Sequence, residues 1–300
     1  MAGEMNQPLL HVMIPAYGKS PYLRQTLESA TKYLSNEVLI TVIEDPSDEA
    51  NLEQLVKEFP RVSYLINEKR LGIAGNFNNC IDKSTGIFTQ ICGSDDVFIA
   101  DPTQYLNNEI LNYSDQAVVS FKVSVIDKNN KPKFSLPDIV KYLLKPKISD
   151  YKIFDNKKIF SNLMNGDWLY FPAILWKTEL TKKYKFSSGF HTAMDLDILI
   201  RILADDKKIS YVNKKTLDYR RHNQSASSLY AKSEARFVEE FTCHKNAIEI
   251  ARSKNWRGGA ILAQLALTVR LHAIWQALLL LLTNPKLALK ILLKALTPIR

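Results

Sequence analysis

Two periods of apolar residues alternate along the first third of the chain. Leu9 to Ile14 is a run apolar but for His11 that stops at Pro15, which predicts a buried strand; from Tyr22 to Leu34 the apolar residues Leu23, Leu27, Ala30 and Leu34 return at helical spacing. The alternation repeats. Val38 to Ile43 predicts a second strand ending at Glu44, Asp45 and Pro46, and Leu52, Leu55, Val56 and Phe59 mark a second helix. Val62 to Ile66 predicts a third strand, and Ile73, Ala74, Phe77, Cys80 and Ile81 line one face of a third helix. Ile87 to Cys92 then predicts a fourth strand that opens on Gly93, Ser94, Asp95 and Asp96. Strands alternating with helices predict an α/β fold, a mostly parallel sheet with helices on its faces. Ligands of such sheets bind outside the carboxyl ends of the strands. Pro15, Ala16 and Tyr17, then Asp45, then Arg70 and Gly72, and finally Asp95 and Asp96 all fall there.

The pattern loosens in the second half. Ala117 to Ile126 predicts a strand, Lys128 to Lys133 a polar turn, and Lys141 to Tyr151 a loop broken by Pro146. Asp155 is placed to cap a helix carrying Ile159, Phe160, Leu163 and Met164, after which Gly166, Asp167 and Trp168 lead into Tyr170, Phe171 and Pro172. A further helix begins around Asp195 and Asp197 and runs past Arg201. From Gly259 the chain is helical in character. Leu271 to Pro285, fifteen residues without Lys, Arg, Asp or Glu, falls short of the roughly 20 needed to span a bilayer. Beyond it Lys286, Lys290 and Lys294 recur beside Leu287, Leu289, Ile291, Leu292, Leu293 and Leu296, the pattern of a helix lying in a membrane interface, or else packed on the catalytic body or on a second subunit.

Charge sharpens this division. The net charge is +9 over 300 residues, yet residues 250–300 hold eight bases and no acid, which leaves only +1 for residues 1–249. A nearly neutral body with a basic, apolar tail excludes a nucleic-acid reader and suits an anionic membrane surface. Met1 to Pro8 is polar and lacks the apolar core of a secretory signal, so the expected location is the cytoplasm, peripheral on the cytosolic face of the membrane. Three scattered cysteines, Cys80, Cys92 and Cys243, offer neither a disulfide framework nor a thiolate zinc site.

The adjacent carboxylates of Asp95 and Asp96 are hard oxygen donors of the kind that hold Mg2+ or Mn2+ together with substrate phosphates. No GxGxxG follows the first strand, which excludes a dehydrogenase of the dinucleotide-binding type. A nucleotidyltransferase would want a Gly-rich, Lys-bearing loop where the sequence has only Pro15 to Lys19.

These motifs, in this order, resemble the family 2 inverting glycosyltransferases of the GT-A fold over roughly Leu10 to Ser227. The resemblance rests on Pro15, Ala16, Tyr17; Glu44, Asp45, Pro46, Ser47; Asn67 through Gly72 to Asn76; Ser94, Asp95, Asp96; Met194 to Arg201; and Tyr219, Arg220, Arg221, His222. It implies a GT-A domain over 1–228, with a nucleotide-sugar half at 1–115 and an acceptor half at 116–228, followed by a helical extension at 229–300. It also implies transfer from a nucleoside-diphosphate sugar, UDP-linked by preference, to a glycan or lipid-linked acceptor with the help of Mn2+ or Mg2+. Asp45 would then accept from the nucleobase, with Ala16 and Tyr17 flanking it and Pro15, Arg70 and Gly72 completing the donor site. Asp95 would face the ribose or sugar, and Asp96 and His222 would hold the metal, with Arg221 as a fixed cation near the diphosphate. Asp195 matches the general base, with Asp197 as its rival, and Asp167 and Trp168 stand where the acceptor wall is built. Gly93 and Met194 replace acids common in the family, so a decayed domain acting as an assembly module is the alternative.

Overall fold

The structure, a computed structural model, describes residues 7–48, 51–222, 230 and 233–299, so the 228/229 domain boundary lies outside the described residues. Strands β1 (Leu10–Tyr17), β2 (Leu39–Asp45), β3 (Val62–Ile66) and β4 (Phe88–Ile91) are parallel and stand in the order β3-β2-β1-β4. Helices α1 (Leu23–Tyr33), α2 (Glu53–Lys57) and α3 (Gly72–Lys83) connect them. Contrary to expectation, β1 does not stop at Pro15 but runs on to Tyr17. The Met13 carbonyl accepts from the Cys92 N–H at 2.9 Å, so Pro15, two residues on, turns its donorless nitrogen to the same edge, where β4 has ended.

The second half adds antiparallel strands to the mostly parallel sheet and makes it mixed. Strands β5 (Val97–Phe98), β6 (Gln116–Ile126), β7 (Tyr151–Ile153), β8 (Ile174–Lys177) and β9 (Lys208–Arg220) join it. β8 runs antiparallel between β4 and β6, β9 lies parallel to β6, and β7 and β5 pair antiparallel with the early and late parts of β9. Helices α4 (Asn108–Asn112), α5 (Leu136–Leu144), α6 (Asn156–Asn165), α7 (Thr178–Tyr184) and α8 (Met194–Ala204) complete the body. Asp155 caps α6, accepting from the Lys158 N–H at 3.0 Å. Helix α5 overlaps the segment expected to be a loop.

Both faces of the sheet are covered, as the continuous apolar runs of β1 and β2 require. Val12 and Ile14 of β1 pack with Leu23 and Leu27 of α1, whereas Met13 faces the opposite core with Cys80 and Ile81 of α3 and Ile198 and Ile202 of α8. That second core continues into α9 (Glu234–Ser253) and α10 (Arg257–Leu265) through Cys243, Ala247, Ala251 and Ala263. Helices α11 (Leu267–Leu280) and α12 (Pro285–Leu296) instead form a hairpin around a small core of Phe237, Ala273, Ala277, Ala288, Ile291 and Ala295. Arg257–Leu280 is long and apolar enough to cross a membrane by length and composition, but Ala266, at φ 43° in the left-handed region, breaks it into α10 and α11. On α12 Lys290 and Lys294 come within 3.7 and 3.9 Å of Glu234, Lys286 is exposed, and Leu289, Leu293 and Leu296 are exposed as well.

Candidate active site

The strand ends gather the polar residues at one rim. At the end of β2, buried Asp45 accepts from Asn67 Nδ2 at 3.0 Å, the Leu71 N–H at 2.8 Å and the Gly72 N–H at 2.9 Å. Its carboxylate therefore organises the loop after β3 and meets the amide-rich start of α3, where negative charge is favoured. Gly72 adopts φ +72°, a conformation that lets this loop turn into the helix. Ala16 is buried and Pro15 half-buried behind Tyr17, which is 53% exposed. The Arg70 guanidinium lies 4.4 Å from the Tyr17 ring centroid, giving a flat cationic face beside Asp45.

The Asp95 and Asp96 corner is built by β5 and β9. Val97 pairs with Asp218, which sets Asp96 beside the end of β9, and Asp96 Oδ1 accepts from the Arg220 N–H at 2.9 Å. Arg220 is fully buried: Nε donates to the Asp95 carbonyl at 2.7 Å, and its two terminal nitrogens reach the Asp127 carbonyl and Asn130 side chain on one side and Gln25 on the other. His222 Nε2 lies 2.7 Å from Asp95 Oδ2, and its ring is 5.0 Å from that of Tyr22. The two carboxylates converge over Gly93. A Cβ there would sit 2.5 Å from Asp95 Oδ1 and 2.9 Å from Asp96 Oδ2, so the residue that replaces a common family acid is also the one that leaves room for the pair. Burial, and then the Asp95 carboxylate, push Asp96 well above the ordinary carboxylate range. The two converging carboxylates supply hard oxygen donors of the kind that Mg2+ and Mn2+ take. Among the described residues no group of three or more His, Cys, Asp and Glu side chains forms a closed metal cage.

A second acidic centre lies at the start of α8. Asp195, partly buried, is pushed up to about 7 by burial and by the Asp167 carboxylate, against the opposing pull of Lys141. Its Oδ1 accepts from the Leu196 N–H at 2.9 Å. Asp197 points elsewhere, as the 100° step per residue of a helix demands. It is buried, accepts from Ser187 Oγ at 2.6 Å and pairs with Arg201 at 2.7 Å, which binds it into the structure of α8 and leaves Asp195 as the acid at the cleft. Glu239 of α9 fixes the start of α8 by accepting from the N–H groups of His191 and Thr192 at 2.9 and 2.8 Å.

Two expected site residues are otherwise employed. Arg221 is held by Asp138 of α5 through hydrogen bonds of 2.7–3.0 Å from Nε and Nη2, and so neutralises an acid of its own chain rather than standing as a lone cation. Trp168 is only 2% exposed; its indole N–H reaches Asn162 and its ring packs edge-on to Tyr211 and Phe154, so it is a core residue and no part of a wall. Asp167 stays at the site, its side chain accepting from the Leu169 N–H at 2.9 Å and its carbonyl from Lys141 at 2.8 Å. Sequence reasoning gave no role to Arg220, Glu239, Asp138 or Lys141. Arg220 stood inside a recognised motif, and that adjacency was its only signal.

The family model for "Glycosyl transferase family 2" matches residues 11–176. An uncharacterized glycosyltransferase of Methanocaldococcus jannaschii is 23% identical over 75% of this chain and 74% of its own length. The glycosyltransferase GlyA of Streptococcus pneumoniae is 24% identical over 73% of this chain but only 31% of its own length, so the chain spans less than a third of that relative. In three dimensions S. aureus TarS 1–349 in complex with UDP-GlcNAc superposes with a TM-score of 0.60 at 14% identity, covering 95% of this chain and 89% of TarS 1–349. With the family model extending over more than half of its length and a GT-A sheet carrying acids at the strand ends, the chain belongs to glycosyl transferase family 2.

Proposed function

We propose that the protein is a metal-dependent inverting transferase that moves a sugar from a nucleoside-diphosphate donor, UDP-linked by preference, to a hydroxyl of a glycan or lipid-linked acceptor. The observation that carries this reading is the pair of unlike acidic centres: two carboxylates converging over Gly93, and a separate carboxyl, Asp195, pushed up to about 7. In a single in-line displacement one group must take the acceptor's proton while the leaving group departs on the far side. Asp195 titrates near neutral pH, so it is ionised often enough to act and basic enough to hold the proton. Asp167 beside it makes that carboxyl more basic and offers an acceptor for a sugar hydroxyl. Asp45, Tyr17 and Arg70 line the place for base and ribose. Asp96 and His222 would hold Mn2+ or Mg2+, which if bound would neutralise charge on the departing diphosphate, with Asp95 facing the ribose or sugar. The UDP preference takes support from the UDP-GlcNAc complex of TarS. The basic C-terminal helices, with their exposed leucines, favour a place on the cytosolic face of a membrane and an acceptor anchored there.

Donor hydrolysis and calorimetry test this reading. The protein should bind UDP more tightly with Mn2+ present and hydrolyse a UDP-sugar slowly; Asp96→Ala should remove the metal-enhanced binding. A wild-type protein that binds no nucleoside diphosphate under any metal would mark a decayed domain and end the proposal.

A further inference from the structure

Helix α5 is amphipathic the wrong way round. Its polar residues face the body: Asp138 grips Arg221 and accepts from Tyr170 at 2.9 Å, Lys141 one turn on donates to the Asp167 carbonyl, and Lys145 one turn further reaches Tyr211 and Asn213. Asp138 thus connects to the strand end that carries His222, and Lys141 to the acid beside Asp195, so one short helix props both halves of the site. Leu136, Ile139, Val140 and Leu143, spaced as one helical stripe, are all exposed, with Phe134 and Tyr142 beside them at 85% and 78% exposure.

We infer that the outer face of α5 seats on an anionic lipid bilayer, setting the acceptor side of the cleft against the membrane. Charge supports this occupant: Lys128, Lys131 and Lys133 precede the helix and Lys147 and Lys152 follow it, whereas Asp127, Asp138 and Asp150 on the same stretch are each tied to partners of the chain itself. Protruding apolar side chains flanked in sequence by lysines suit insertion among lipid headgroups. A second copy fits less well, because a two-fold contact through α5 would set like lysines against one another. The end of α5 also lies near the tail. A Cβ on Gly166 would lie 2.4 Å from Leu144 of α5 and 3.4 Å from Thr268 of α11, and Leu267 and Leu271 of α11 are exposed too. The inference rests on the membrane-bound acceptor proposed above only for its purpose, since the contact itself needs neither donor nor acceptor.

Vesicle flotation of the full chain decides it. Wild type should float with vesicles of phosphatidylcholine and phosphatidylglycerol and much less with phosphatidylcholine alone. Ile139→Glu with Leu143→Glu should weaken that binding roughly tenfold or more while leaving UDP-sugar hydrolysis unchanged. A Leu143→Trp reporter should shift its emission to the blue on the anionic vesicles. The inference is overturned if the double variant floats like wild type, if the reporter's emission does not move, or if α5 substitutions instead split a dimer. Leu289→Glu with Leu293→Glu on α12 separates the two membrane proposals: loss of binding there alone would keep the tail's contact and remove that of α5.

Discussion

At the scale of single residues, the division of labour among carboxylates follows from what surrounds each. Asp197 has Arg201 and Ser187 and Asp45 has three hydrogen-bond donors, whereas burial and then the Asp167 carboxylate push Asp195 up to about 7. Activity should therefore rise as pH passes through about 7, falling about tenfold per unit below it. Asp167→Asn removes the charge that raises Asp195, so this limb should move to lower pH, while Asp195→Asn should cut turnover by roughly 10²–10⁴ with donor binding kept. The sign for stability is opposite. A carboxyl whose native pKa lies above its unfolded one stabilises the fold at pH below the unfolded value, and that contribution is lost as pH rises through about 7. Most of these residues were legible, because Asp45, Asp95, Asp96 and Asp195 stand where strands and helices begin or end. Arg221 and Trp168 were misjudged for one reason: which partner a side chain meets depends on elements far away in sequence.

Single elements show where periodicity informs and where it misleads. The helices α1, α3 and α6 bury the faces that their apolar spacing marks. In α5 the same kind of stripe faces outward, so a reading that puts apolar residues inside would invert the helix and hide Asp138 and Lys141 from the site. Helix α8 depends on an element 40 residues on. Burial pushes the Glu239 carboxyl up, but the N–H groups of Thr192 and His191 and the His191 and Thr192 side chains outweigh it and hold Glu239 below the ordinary range. Glu239→Ala would leave those N–H groups without their acceptor. It should lower stability by about 1–3 kcal/mol, read as a fall in the urea midpoint, and reduce turnover more than donor affinity because it loosens the turn that carries Asp195.

For the whole molecule, the parallel half of the sheet was legible because its strands and helices alternate with distinct periods; the mixed half was not, since a run as short as Ile174–Lys177 carries no mark of its direction. That short strand has a consequence for how the chain acquires its fold. β8 sits between β4 and β6, so the open side of β4, complete at residue 91, gains its neighbour only once residue 177 is in place. Until then a nascent chain exposes an unpaired strand edge bordered by the apolar side chains of β4, the kind of surface that recruits other chains. A fragment of residues 1–115 should accordingly be soluble only poorly and aggregate on light scattering, whereas one of residues 1–265, which restores β8 and β6, should stay in solution. During synthesis, residues 1–115 would wait for β6 and β8, and the interval between them is when this protein most needs a chaperone.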